Sequence, residues 1–75
     1  MIHVWDIYEP CDPHDLGADP FDIFVYTLRR DEPPHLGEPV YLEGRQCRIV
    51  AVAPDEGKTE VYGFGEEVYH KVCAV

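Results

Sequence analysis

The chain contains no serine and no asparagine. Serine hydrolysis and the usual N-glycosylation sequon are thereby excluded. Basic residues are scarce as well: six Lys and Arg stand against fifteen Asp and Glu, giving a formal net charge of −9. Binding to nucleic acid or to an anionic membrane surface depends on clustered cations, so neither is expected as a direct partner. No apolar run approaches the roughly 20 residues needed to cross a bilayer. The opening MIHVWDIYEP lacks the basic, apolar and cleavage regions of a signal peptide. Three cysteines, an odd number, favour free thiols in a reducing cytosol. With no linker and no internal repeat, the sequence reads as a complete small cytoplasmic protein.

The residues that are present argue for a folded chain. Seventy-five residues make one compact domain, 1–75, which buries only about 60% of the surface exposed by its unfolded form. Hydrophobic residues at 45% and aromatics at 12% are too abundant for a disordered chain. Ile2–Glu9 is rich in Ile, Val, Trp and Tyr and reads as a strand. Pro10, Pro13, Gly17 and Pro20 make a loop of the next stretch. In FDIFVYTLRR, residues 21–30, Asp19 and Pro20 imitate a helix start, but the β-branched and aromatic content favours a strand. Paired prolines make residues 31–39 a connection. Residues 40–43, 46–53, 58–64 and 67–74 then read as short strands, with PDEG, residues 54–57, as a type I turn. A helix over the last of these segments is the alternative, using Val68, Val72 and Val75 as its apolar face.

The predicted fold class is mainly β, an antiparallel meander of five or six strands curled into a small, partly open barrel or roll. GEPVYLEGRQCRIVAV, residues 37–52, resembles the glycine, strand, tight turn, strand pattern of SH3-like barrels, which implies the same architecture.

Catalytic groups are few. Cys73 lies three residues from His70, and strand alternation puts them on opposite faces, away from the geometry of a thiol nucleophile and its base. GFG, residues 63–65, is too short for a nucleotide fingerprint and reads as a bend between strands. Cys11 with His14 and His70 with Cys73 could supply two sulfurs and two nitrogens to a tetrahedral Zn²⁺, although no turn residue lets the second pair converge. Asp12, Asp15, Asp19 and Asp22 do not follow the ligand spacing of a calcium loop. No enzyme activity and no cofactor are expected.

The acids are the dominant signal. Asp6, Glu9, Asp12, Asp15, Asp19 and Asp22 recur every three or four residues, and Asp31 and Glu32 continue the series beyond Arg29 and Arg30. An extended chain would place these carboxylates about 10 Å apart at about 3.3 Å per residue. Tyr8 adds an aromatic anchor of the kind found at interfaces. The expected role is docking on a basic protein surface, one that belongs to a nucleic-acid-binding complex and that DNA or RNA would otherwise occupy. In size, acidity and lack of catalytic groups the chain resembles phage-encoded inhibitors of host defence, such as anti-CRISPR proteins. The alternatives are a small barrel that serves as an adaptor, with acidity giving solubility, and a zinc-stapled domain.

Overall fold

The computed structural model describes residues 1–12 and 19–75. Five strands and one helix run in the order β1 (Ile2–Glu9), β2 (Ile23–Arg30), β3 (Pro39–Leu42), β4 (Arg45–Pro54), α1 (Glu56–Tyr62) and β5 (Glu67–Ala74). The strands form one sheet in the order β2-β1-β5-β4-β3, curled into a half-barrel. The fold is therefore the mainly β, partly open barrel or roll that the sequence predicts. Three of the four pairings are antiparallel, and the β1–β5 pairing is parallel, joining Ile2 with Glu67 through to Tyr8 with Cys73. The sheet is thus mixed, where a purely antiparallel meander was expected. None of the described helices is long and apolar enough to cross a membrane.

Strand β1 lies between β2 and β5 and is covered on both faces, so Val4, Trp5, Asp6 and Ile7 are all buried. Trp5 and Ile7 face the concave side, where they pack with Val40, Leu42, Cys47, Ile49, Val72 and Ala74. Val25, Tyr26 and Leu28 of β2 close over this core. A bulge makes that possible: the register jumps from Ile7↔Tyr26 to Tyr8↔Phe24, leaving Val25 as an extra residue. The Trp5 indole N–H donates to the Glu32 carbonyl at 3.0 Å, and the Arg30 guanidinium sits over the ring.

The segment 58–64, expected as a strand, is instead the body of α1 and its exit. Asp55 caps the helix by accepting from the Lys58 N–H at 3.2 Å, Glu56 occupies the first turn, and Thr59 donates its hydroxyl to the Asp55 carbonyl. Residues 54–57 are thus a helix start rather than a type I turn. The β propensity of Val61, Tyr62 and Phe64 gives way because their neighbours tie this segment to β5: Tyr69 N–H donates to Thr59 Oγ1, and Asp55 N–H to the Tyr69 carbonyl. Gly63 ends the helix at a place where a Cβ would collide with the Glu67 and Thr59 carbonyl oxygens. The GFG stretch therefore links a helix to a strand, not two strands. Asp19, for its part, caps no helix; its carboxylate accepts from the Phe21 N–H and turns the chain into β2.

The β3–β4 hairpin turns through two residues, Glu43 and Gly44, with φ of 52° and 83°. A two-residue turn with both φ positive matches the twist of its strands, but for a residue with a Cβ that conformation costs about 1–2 kcal/mol. Asparagine tolerates it better. Glu43→Asn is expected to raise unfolding free energy by about 0.5–1 kcal/mol in urea denaturation, with an unchanged slope.

Candidate functional site

The most constrained polar group is Asp6, only 2% exposed in the middle of β1. Strand alternation turns it to the convex face, opposite Trp5 and Ile7. There it accepts the Thr27 hydroxyl at 2.8 Å and the Lys58 ammonium at 2.9 Å. Lys58 reaches in from the first turn of α1, and the bond to Asp6 holds its ammonium above the ordinary range, against the opposing effect of burial. Among the described residues no buried side-chain donor or acceptor lacks a partner. Asp6, expected on the docking surface, is therefore internal and unavailable to a partner.

The other expected docking residues fall into two groups. Glu9, Asp12, Asp19 and Asp22 lie at one end of the β1–β2 pair, while Asp31 and Glu32 lie at the other. The eight residues of β2 separate them by roughly 25 Å at about 3.3 Å per residue. At the first end the acids surround apolar groups: Tyr8 makes edge contacts with Phe21 and Phe24, and Ile23 and Phe24 are exposed. Glu9 also pairs with Arg45 at 3.6 Å. Asp15 and His14 lie outside the described residues.

Each of the six cations is engaged within the fold. Arg29 pairs with Glu67 at 3.1 Å, Arg45 with Glu9 and Lys58 with Asp6. Arg48 donates to the Gly37 carbonyl, Arg30 stacks over Trp5, and Lys71 lies over the Phe21 ring. The outward-facing carboxylates Asp22, Asp31, Glu43, Glu56 and Glu60 have no ion pair among the described residues. Sequence counting shows the excess of acid but not this disposition, which depends on cross-strand reach.

The described candidate zinc ligands, Cys11, His70 and Cys73, do not converge. Cys11 is exposed at the β1 end, while Cys73 is buried on β5, where desolvation raises its thiol pKa. His70 faces the concave side, in register with Trp5, and its Nε2 meets His3 Nδ1 at 3.0 Å. Among the described residues no three His, Cys, Asp or Glu side chains are grouped to hold a metal ion. The His3–His70 contact was not legible because it pairs side chains that lie diagonally across a parallel ladder. One proton shared between the rings makes the bond, whereas protonating both nitrogens would replace it with repulsion. Burial, and secondarily His3, lower the pKa of His70.

This geometry has two measurable outcomes. Lys58→Met strands a buried carboxylate and is expected to cost about 3 kcal/mol by chemical denaturation, with most of the loss recovered in the double variant Asp6→Leu/Lys58→Met. Because His70 binds its proton more weakly in the folded than in the unfolded chain, its contribution is full above the unfolded value of about 6.5 and is lost as pH falls. Unfolding free energy measured from pH 7.5 to 5 is expected to decline, with a shallower decline in His70→Gln. Comparisons with known proteins add no relative to this account: no family model, curated protein or solved structure matches the chain.

Proposed function

We propose that this protein is a non-catalytic binding protein that docks by its acidic surface on a basic protein and takes the place of DNA or RNA there. This is the manner of phage-encoded inhibitors of host defence, anti-CRISPR proteins among them, and it places the chain in the host cytoplasm. The observation that carries the reading is the set of outward-facing carboxylates Asp22, Asp31, Glu43, Glu56 and Glu60, which have no ion pair among the described residues. A basic surface is drawn to such a field, and phosphate is repelled by it.

The docking face of choice is the β1–β2 end. Glu9, Asp12, Asp19 and Asp22 supply charge there, and the exposed Ile23 and Phe24, backed by Tyr8, supply apolar area that excludes water. Asp31 and Glu32 form a separate acidic site. The same apolar patch supports the second reading, a barrel adaptor whose contact does not depend on charge.

Immobilised protein is to be incubated with nuclease-treated bacterial lysate, followed by quantitation of captured proteins across a salt series. Nucleic-acid-binding proteins are expected, released by added DNA or RNA and weakened at least about tenfold between roughly 50 and 200 mM salt. Asp12→Lys/Asp19→Lys/Asp22→Lys is expected to abolish capture. Capture that is flat with salt and indifferent to the triple change would instead establish the adaptor.

A further inference from the structure

We propose that the knuckle at the exit of α1, built from Val61, Tyr62 and Phe64, is a second docking surface, and that it receives a basic amphipathic helix of the partner protein. This takes the partner's charge from the docking reading above and adds a contact at the other end of β1.

The turn that follows α1 runs from Gly63 to Glu66 and is closed by the Glu66 N–H, which donates to the Gly63 carbonyl at 2.8 Å. Its two central residues, Phe64 and Gly65, have φ of 49° and 80°. Glycine and asparagine suit such a turn, whereas a side chain as bulky as phenylalanine strains it. No packing inside the fold offsets that strain, because Phe64 is 84% exposed. Strain that serves nothing within the fold points to a contact outside it. Val61 and Tyr62, in the last turn of α1, are exposed as well, and Ile2 lies at the same turn, its N–H bonded to the Glu66 carbonyl.

Acids surround these apolar groups. Residues 55–67 hold five Asp and Glu and one base, Lys58, which is bonded to Asp6. Arg29, reaching across from β2, is paired with Glu67, and Arg30 lies over Trp5 on the opposite face of the sheet. Glu56, Glu60 and Glu66 have no ion pair among the described residues, and the last turn of α1 carries no basic residue. The Met1 ammonium next to Ile2 offsets at most one of the three.

Backbone chemistry and charge together decide the occupant. The Gly63 carbonyl already accepts from Glu66 and Glu67, and the Glu66 carbonyl from Ile2. An added strand therefore finds no edge at this turn, and contact falls to side chains. A helix satisfies its own backbone and shows an apolar stripe between charged flanks. With Leu or Val in the stripe and Lys or Arg beside it, it sets apolar groups on Val61, Tyr62 and Phe64 and cations against Glu56, Glu60 and Glu66. A second copy of this chain, itself at −9, is repelled.

The test titrates the intact protein, followed by amide NMR, with a blocked peptide of about eighteen Leu and Lys residues whose leucines form one helical stripe. Shifts are expected at Ile2 and across residues 61–66. A peptide of the same composition, scrambled to remove the stripe, is expected to bind at least about tenfold more weakly. Phe64→Asn is expected to weaken binding at least about tenfold while raising the urea midpoint of unfolding, because the turn relaxes. Glu56→Gln/Glu60→Gln/Glu66→Gln is expected to weaken binding several-fold and to flatten its salt dependence. Equal binding of both peptides, shifts confined to the β1–β2 end, no binding, or a Phe64→Asn variant that is less stable than the parent would overturn the proposal; the docking reading would still stand if lysate capture is salt-sensitive and competed by nucleic acid. Shifts at residues 61–66 that grow with protein concentration alone would assign the knuckle to a second copy and overturn the proposal equally.

Discussion

The buried carboxylate of Asp6 ties the β1–β2 ladder to α1, which no backbone ladder joins to either strand. It lies in the central part of β1, accepts from Thr27 on β2 and draws Lys58 in from α1. A carboxylate taken out of water is costly unless both charge and hydrogen bonds are supplied. That requirement fixes where α1 must sit, because the ammonium arrives from its first turn. Once α1 is placed, Thr59 meets the Tyr69 amide, and the convex face of the sheet is covered without any buried helix residue. The helix is docked by polar contacts rather than by an apolar stripe.

Three of the six Lys and Arg form ion pairs and the others contact a carbonyl or an aromatic ring, so with fifteen Asp and Glu in the chain the surface carries an excess of negative charge. Solubility is one result, and a long-range attraction for cationic surfaces is another. The aromatic cluster at the β1–β2 end adds short-range contact to that attraction, and the two effects differ in their response to salt.

Much of the fold was legible in the sequence. Alternation and β-branched content located β1, β2, β4 and β5, and the glycine after Glu43 marked the hairpin. The helix was not legible: Val61, Tyr62 and Phe64 suit a strand, and the cap at Asp55 looks like turn chemistry until its partners are in view. A seven-residue helix also gives too little periodicity to outweigh that pattern. The parallel β1–β5 pairing was hidden because local order carries no information about which distant strand is the neighbour. As for the site, the acid series was plain, but Asp6 belonged to a different class from the rest. Its place between Trp5 and Ile7 in an apolar strand was the available signal. Asp12 and Asp19 keep the exposure that the loop reading implied, and Asp22 is exposed just ahead of β2.

The parallel ladder that joins Ile2 to Glu67 has a temporal meaning. Strand β1 is made early but acquires its β5 neighbour only after nearly all the intervening chain exists. Until then Trp5 and Ile7 lack half their core, and Asp6 lacks its cation. Closing so long a loop loses entropy before the contacts form that offset it, so folding is slow for the size of the chain. During that interval the early segment is protected chiefly by its own negative charge, which keeps like chains apart until burial of the apolar side chains takes over.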